Sequence, residues 1–308
     1  MCTYICRFVI PMRKISYTVP PALDGSSVAA VLRSHGFSTA LLRSLKKTYG
    51  ALSRNGCPVR TVDPVHTGDI VAVELNTGGA TAPPSAEKAV IVYADRDILV
   101  ANKRAGMAMY ETYNHHGNAL SNAVAAAGFD GPFRPIYRLD KDTSGLVVLA
   151  RHQLSAAKLA GKIQKDYYAV VPGAYTGSGT VDAPIAHCPD STVKRQVDPA
   201  GVRAVTHWEA LGQQGGRTLL RVQLETGRTH QIRVHFSHLG TPLVGDSLYG
   251  TAPIGARHLL HCKTIRLMHP VREEPVAFDC PFPSDMEEWN QCLPTAPTTS
   301  LPASCCPP

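Results

Sequence analysis

The sequence contains no apolar run that approaches the length of a membrane span, which argues against an integral membrane protein. Residues 1–10 are too short for a signal peptide, and their charge follows the apolar part instead of preceding it. The nine cysteines are scattered and form no Cys-x-x-Cys pair, so they are expected to be reduced thiols. Together these absences predict a cytoplasmic protein.

The charge balance of the chain is moderately basic. Its 308 residues include 31 Lys and Arg against 24 Asp and Glu, which gives a formal net charge of +7. Such an excess fits a polyanionic partner, although many soluble enzymes are as basic. The length allows one large domain or two smaller ones, and no internal repeat divides it.

Residues 13–75 have the pattern of a small separate unit. Ser26–His35 and Ser38–Tyr49 predict two short helices, with Ser26 and Ser38 as their N-caps. A hairpin is expected to follow, with its turn at Asn55-Gly56 and an alternating strand at Asp69–Leu75.

Two helices followed by a hairpin resemble the S4-type RNA-binding module. The resemblance implies that the basic side of the second helix, with Arg43, Lys46 and Lys47, contacts RNA. The alternative is an ordinary amphipathic helix whose basic side is solvated.

Changes in composition divide the rest of the chain. Residues 76–87, rich in Gly, Ala, Thr and Pro, predict a linker, and residues 293–308 predict a disordered tail. Between them, residues 88–292 alternate strand and helix patterns. The predicted strands are Val90–Ala94, Ile98–Lys103, Lys165–Val171, Ala204–Leu211, Arg217–Glu225, Leu259–Met268 and Val276–Asp279, and the predicted helices are Gly117–Ala127, His152–Gln164, Thr229–Leu239 and Ser284–Cys292.

The stretch Arg134–Arg151 places charged and turn-forming residues directly before an apolar run. That run, Leu146–Ala150, follows Gly145 and predicts a strand buried on both faces. Arg138 and Asp140 are therefore expected on a constrained loop held by a core strand, a common position for catalytic groups. The alternative is a polar turn with a solvated Arg-Asp pair.

This loop resembles the first motif of the RluA-type pseudouridine synthases, His-Arg-Leu-Asp followed two residues later by Thr-Ser-Gly or Thr-Thr-Gly. The resemblance implies that Asp140 is the nucleophile or general base and that Arg138 fills the space left by the flipped base. Tyr137 replaces the family's His; it can still stack on a base, but it cannot take the role of His in protonation. The matching positions are Arg138, Leu139, Asp140, Thr143, Ser144 and Gly145.

Lys165-x-Tyr167-x-Ala169 matches the second motif of the family. The resemblance implies that Tyr167 stacks on the target base, and a flat ring gives a platform worth about 1–3 kcal/mol per base. Tyr168 points to the opposite face of the strand, so only one of the two tyrosines can face a site. The alternative for Tyr167 is an ordinary core tyrosine.

A third family motif is matched near the predicted helix that Thr229 would cap. His230 and Arg233 fall on one face of this helix. The resemblance places Arg233 against Asp140, where a guanidinium would keep the carboxylate ionised, and it places Arg228 against phosphate. The matching stretch is Glu225–His235.

Two further segments continue the resemblance. Asn102–Met107 matches a family segment, with Arg104 in place of a Pro, and residues 239–250 match another. The stretch His258–Cys262 contains two His and one Cys, but no second ligand pair follows, so no metal is expected. The family requires no cofactor.

Altogether the resemblance covers about residues 87–282 and implies an RNA pseudouridine synthase. The implied fold is α+β, with a mixed, mainly antiparallel sheet and a central basic cleft. The implied partner is structured RNA, ribosomal RNA first and tRNA second, bound by a monomer. Two rivals stay open: a glycoside hydrolase, which would need a second carboxylate such as Asp142, and a catalytically silent RNA-binding or ribosome-assembly factor.

Overall fold

The computed structural model describes residues 12–111, 117–253 and 257–293. The chain forms two units, residues 1–165 with 262–280 (unit 1) and residues 166–261 with 281–308 (unit 2). The predicted disordered tail lies outside the described residues, except for Leu293. None of the described helices is long and apolar enough to cross a bilayer.

Unit 1 begins with an N-terminal module of two helices and four short strands, residues 12–76. Its elements are β1 (Met12–Thr18), a 3₁₀ turn (Pro21–Leu23), α1 (Val28–Ser34), α2 (Thr39–Leu45), β2 (Leu52–Arg54), β3 (Cys57–Pro58) and β4 (Ile70–Asn76). The strands pair antiparallel in the order β1-β4-β2-β3. The predicted two helices and hairpin are confirmed, whereas the S4 likeness stays a prediction.

The two helices of the module are shorter than their patterns predicted, and one predicted cap is wrong. Ser27, not Ser26, caps α1, because its side chain accepts a hydrogen bond from the Ala30 amide. Ser38 caps α2 as predicted. In a run of adjacent serines, the pattern cannot tell which one takes the extended backbone conformation of a cap.

The described remainder of unit 1 contains five sheet strands and two helices. Its elements are β5 (Val90–Ala94), β6 (Ile98–Lys103), α3 (Leu120–Ala126), β7 (Ser144–Ala150), α4 (Gln153–Leu159), β14 (Leu260–Met268) and β15 (Pro275–Asp279). The strand order is β5-β6-β7-β14, and β15 pairs with β14. Every residue of β7 is buried, which confirms the prediction of a strand covered on both faces.

The predicted linker, residues 76–87, has no helix or strand after Asn76, but it is held along its length. The Thr81 hydroxyl accepts a hydrogen bond from the Gly131 amide, and the Pro83 carbonyl accepts one from the side chain of Asn122. This connection is therefore fixed against α3 and the loop that follows it.

Unit 2 contains the longer strands and the helix of the third motif. Its elements are β8 (Gln164–Pro172), β9 (Ser178–Asp182), β10 (Ile185–His187), β11 (Arg195–Val197), β12 (Val205–Gln214), β13 (Arg217–Leu224), α5 (Gln231–His238) and a 3₁₀ helix (Ser284–Cys292). The first two residues of β8 belong to unit 1 and the first two of β14 to unit 2. The order β8-β13-β12-β9 is antiparallel throughout, and β10 pairs separately with β11.

These elements confirm an α+β fold with mainly antiparallel sheets, whereas the predicted basic cleft stays a prediction. The prediction that Thr229 caps the third-motif helix is wrong. His230 occupies the N-cap position of α5 with a left-handed φ of 58°, and its side chain makes no capping bond. The Gln231 side chain instead accepts the Arg228 amide, which turns the chain into the helix without a Thr cap.

A buried polar network joins the N-terminal module to the rest of unit 1. Asp97 accepts hydrogen bonds from Arg13 at 2.8 and 3.1 Å and pairs with the imidazole of His152 at 2.9 Å. The other ring nitrogen of His152 accepts the Ser155 amide, so the neutral imidazole can donate to Asp97. Leu154 of α4 completes the contact, because it packs into the apolar core of the module.

We expect Asp97 to make the stability of the protein depend on acid. Burial alone would raise the pKa of Asp97, but hydrogen bonds from His152 and Arg13 outweigh burial and hold it below the ordinary value. The ionised carboxylate therefore stabilises the fold above about pH 4, and this contribution disappears as pH falls through the lowered pKa. Asp97→Asn should lower the free energy of unfolding by about 2 kcal/mol at pH 7. The free energy of unfolding of this variant should also fall less than that of the parent between pH 5 and 2.

Chemical denaturation at several pH values measures both effects. Asp130→Asn is the matched control, because Asp130 is exposed and makes no ion pair or side-chain hydrogen bond with the described residues. A parent and an Asp97→Asn variant with the same acid dependence would contradict the assignment.

Candidate active site

The loop that carries Asp140 is fastened to the buried strand that follows it. The Ile136 amide donates to the Val148 carbonyl, and the Ala150 amide donates to the Arg134 carbonyl, both at 2.9 Å. The loop then closes with a turn in which the Thr143 amide donates to the Asp140 carbonyl at 3.2 Å. Residues 134–136 are thus hydrogen-bonded alongside the end of β7.

A buried lysine fixes the other side of this loop. Lys103 is fully buried at the end of β6, and its ammonium donates to the carbonyls of Arg104, Met107 and Lys141 at 3.1, 2.8 and 2.8 Å. Lys141 follows Asp140 directly. The segment Asn102–Met107 resembled the family, but this function of Lys103 was not predicted, because a pattern does not show which distant carbonyl a lysine meets.

Gly145 lies where β7 passes close to Cys262 of β14. Its φ is +116°, and a Cβ built there would lie 2.2 Å from the carbonyl oxygen of Cys262. No side chain can make such a contact, so close packing against Cys262 requires glycine at this position of the first motif.

The three predicted residues at this loop differ in exposure. Arg138 is exposed, Asp140 is half-buried, and Leu139 between them is buried at 6% exposure. Leu139 therefore anchors the loop, while the two polar side chains beside it keep access to a ligand. Tyr137 is anchored as well, because its hydroxyl donates to the Leu146 carbonyl at 2.8 Å.

In unit 2, the two tyrosines of the second motif have different neighbours. Tyr168 packs edge-on against Phe282, with ring centroids 5.3 Å apart, in an apolar cluster that includes Trp289. Tyr167 leaves β8 on the opposite face and is only 6% exposed. Tyr168 therefore has an ordinary core role, and the stacking role of Tyr167 stays a prediction.

Arg233 lies on the buried side of α5 and grips Asp246 with two parallel hydrogen bonds. Its Nε and Nη2 donate to the two carboxylate oxygens of Asp246 at 2.7 and 2.8 Å. Burial would raise the pKa of Asp246, but the bonds from Arg233 and the amides of Tyr249 and Leu248 hold it below the ordinary value. Asp246 was not predicted as a partner of Arg233, and the pairing of Arg233 with Asp140 stays a prediction.

Tyr249 connects Arg233 to two other parts of unit 2. Its ring lies 5.0 Å from the Arg233 guanidinium carbon, and its hydroxyl accepts the Arg195 amide at 2.9 Å. The same hydroxyl lies 2.8 Å from Nδ1 of His230, and because it accepts from Arg195, its own proton is available to that nitrogen. Tyr249 thus brings His230 and Arg233 together and ties them to β11.

His258 and Arg228 complete the polar residues of this region. His258 is buried, and burial together with the Arg233 charge lowers its pKa to about 3, so its imidazole is neutral at pH 7. Arg228 is exposed, and its Nε donates to the Arg203 carbonyl, which leaves the outer part of the guanidinium available to phosphate.

Unit 1 therefore carries Tyr137, Arg138 and Asp140, and unit 2 carries Tyr167, Arg228, His230 and Arg233. Among the described residues, one group has the spacing of metal ligands: Asp95, Asp97 and His269. Its carboxylates already accept hydrogen bonds from arginine and histidine side chains, so cationic and hydrogen-bonding groups of the protein occupy the positions that a metal would take.

Comparison with known proteins agrees with this arrangement. A family model described as RNA pseudouridylate synthase matches residues 97–238. Bacillus subtilis YjbO, named as an uncharacterized RNA pseudouridine synthase, is 36% identical over 266 residues, which cover 82% of this chain and 94% of YjbO. The chain belongs to the RNA pseudouridine synthase family. It is therefore an isomerase that acts on RNA, and its resemblance to the RluA-type members is confirmed.

Two further relatives extend the match in sequence and in structure. The ribosomal large subunit pseudouridine synthase D of Xanthomonas campestris is 35% identical over 302 residues, covering 89% of this chain and 91% of the relative. The structure titled human RNA pseudouridylate synthase domain containing 1 superposes with a TM-score of 0.54 at 26% identity, covering 68% of this chain and 89% of that one. The synthase fold accounts for the antiparallel sheets described above.

We expect the pair of Arg233 and Asp246 to be a major contributor to the stability of this synthase. Both side chains are buried, at 8% and 0% exposure. Asp246→Asn removes the negative charge and leaves the guanidinium partly uncompensated, so the free energy of unfolding should fall by about 3 kcal/mol. Glu209→Gln is the matched control, because Glu209 pairs with Arg221 at the surface of the same unit and should matter much less. Equal losses in the two variants, measured by chemical denaturation, would refute this expectation.

Proposed function

We propose that this synthase isomerises a specific uridine in large-subunit ribosomal RNA, with Asp140 as its catalytic carboxylate. The observation that supports the target is the relative named ribosomal large subunit pseudouridine synthase D, whose alignment covers 89% of this chain. Residues 88–292 are too few to account for 89% of the chain, so the alignment extends into the N-terminal module.

The chemistry requires a single ionised carboxylate. The N-glycosidic bond of the uridine breaks, the uracil rotates, and a new bond forms between the ribose and C5, so that no atom is gained or lost. Asp140 either attacks the ribose or removes a ribose proton. The hydrogen bond from Lys103 to the Lys141 carbonyl supports this role, because it fixes the backbone directly after Asp140. A carboxylate fixed in position loses less entropy when it reaches the reacting atom.

The remaining predicted residues are proposed to bind the RNA. The target uridine must leave its stack before it can react. Arg138, exposed at the tip of the loop, would fill the vacated space, and Tyr167 would stack on the flipped base. Arg228 would contact phosphate, while His230 and Tyr137 would line the substrate site.

Arg233 has a further proposed role as the partner of Asp140. Its attachment to Asp246 and to the ring of Tyr249 supports this proposal, because a guanidinium held on two sides keeps a fixed orientation.

We further propose that the N-terminal module binds the RNA backbone. Residues 25–62 contain no Asp or Glu but six Lys and Arg. Arg43, Lys46 and Lys47 are exposed around the end of α2, and none of them forms an ion pair within the described residues. Beside them Tyr49 is 97% exposed, which suits a base-stacking contact.

Deletion of the gene should remove one pseudouridine from large-subunit ribosomal RNA. The parent gene should restore it, and Asp140→Asn should not, since the amide can neither attack the ribose nor take up its proton. Chemical mapping of pseudouridine in total RNA measures this, with Asp130→Asn as a control that should restore the modification.

Each outcome addresses a separate part of the proposal. A pseudouridine lost from tRNA would overturn the ribosomal target, and restoration by Asp140→Asn would overturn the catalytic assignment. Release of free uracil by the purified enzyme would favour the glycoside hydrolase.

Replacement of Arg43, Lys46 and Lys47 by Ala should weaken RNA binding and reduce its salt dependence. Each lost phosphate contact should lower the slope of log affinity against log salt by about 0.9 on a duplex, so the combined change should be about 2 to 3. The matched control replaces Arg104, Arg203 and Arg272, three exposed arginines outside the module that are each paired with a carboxylate. If both triple variants change the slope equally, the module has no special part in RNA binding.

A further inference from the structure

Lys165 is a half-buried cation for which the described residues supply no carboxylate partner. It lies at the start of β8, and its ammonium sits over the ring of Tyr137, 4.5 Å from the ring centroid. Within the described part of the chain, no carboxylate lies within salt-bridge distance of this ammonium, and it donates no hydrogen bond. Burial lowers the pKa of Lys165 below its ordinary value.

The other sheltered lysines of unit 1 are compensated. Lys103 donates to three carbonyls, and Lys263 pairs with Asp279 and the Cys280 carbonyl at 2.5 and 2.9 Å. Lys158 pairs with Glu273 at 2.8 Å. An aromatic face attracts an ammonium but replaces only part of its hydration, so Lys165 is the sheltered lysine that lacks an acceptor.

The position of Lys165 indicates what the missing acceptor is. Lys165 and Tyr167 are two residues apart on one strand, so their side chains leave β8 on the same face, with Cα atoms about 7 Å apart. That distance is comparable to the separation of a base from the phosphate of its own nucleotide. A ligand that places a base on Tyr167 would therefore bring an anion within reach of Lys165.

We propose that Lys165 is a substrate-binding residue that takes a phosphate oxygen of the nucleotide stacked on Tyr167, with Tyr137 as the platform that aims it. The inference rests on the proposed stacking role of Tyr167. It also gives a reason for Tyr137 at the position of the family's His: a phenol ring is neutral and offers its face to a cation, whereas a protonated imidazole would repel it. The bond from the Tyr137 hydroxyl to Leu146 keeps that ring in place.

The test measures binding of a single-stranded RNA decamer with one central uridine, at several salt concentrations, in an Asp140→Asn background that prevents turnover. Lys165→Met keeps the apolar stem and removes the charge. It should weaken binding about tenfold and lower the salt slope by about 0.7, the value for one phosphate contact on single-stranded RNA. Lys165→Arg should recover most of the affinity. Lys162→Met is the control, because Lys162 is exposed just before the strand and should leave both quantities unchanged.

Thermal unfolding separates this function from a structural one. Because Lys165→Met removes a partly buried charge and loses only the contact of that charge with the Tyr137 ring, the variant should unfold at the same temperature as the parent or at a higher one. A lowered unfolding temperature with normal RNA binding would show a structural lysine and overturn the proposal. Weaker binding with an unchanged salt slope would indicate a contact to a neutral uracil oxygen and would also overturn the phosphate assignment.

Two results would be independent of each other. Failure to modify ribosomal RNA would refute the proposed target but not the proposed phosphate contact, because the decamer assay needs no turnover and no particular uridine. Conversely, an active parent enzyme whose Lys165→Met variant binds the decamer unchanged would refute the phosphate contact alone. Tyr137→Leu removes the aromatic platform and should lower the affinity for the decamer. Its change in salt slope should be no larger than that of Lys165→Met.

Discussion

The Lys103 ammonium holds the loop on which the proposed catalytic carboxylate depends. A fully buried cation is tolerated because three carbonyls compensate it, and one of them belongs to Lys141, directly after Asp140. Moving the loop would leave the ammonium without one acceptor, so the position of the carboxylate is coupled to the burial of the lysine. The opposite side of the loop is hydrogen-bonded to β7, and Gly145 lets β7 and β14 approach closely enough to keep that strand buried.

Elements defined by local composition were predicted well. The strands Val90–Ala94 and Ile98–Lys103 have the predicted bounds, because each is a short apolar run between turn formers. The strands β1, β9, β10 and β11 were missed, since strands without a continuous apolar run depend on partners that the local pattern does not show. The N-cap of α5 was also predicted wrongly, because His230 occupies that position without a side-chain cap and Gln231 bonds back to the Arg228 amide.

Residue types at the candidate site could be predicted from motifs, but their partners could not. Arg233 was identified at once, whereas its grip on Asp246, thirteen residues later, depends on how the following loop folds back on α5. Tyr249 and Lys103 lay in segments that resembled the family, yet the sequence shows neither which carbonyl a lysine will meet nor which ring an arginine will face. The half-buried cap residue His230 lies 2.8 Å from the Tyr249 hydroxyl, a partner nineteen residues later that its motif does not show.

The contact of the N-terminal module with α4 has a consequence for how RNA would be chosen. Leu154 belongs to the apolar core of the module, and Arg13 of β1 reaches Asp97 at the turn before β6. The module and the loop of Asp140 therefore share one unit instead of being joined by a free tether. If the module binds the RNA backbone, its distance from Asp140 is set by the fold. The enzyme would then select RNAs by geometry, accepting those in which the bound backbone and the target uridine are separated by that one distance.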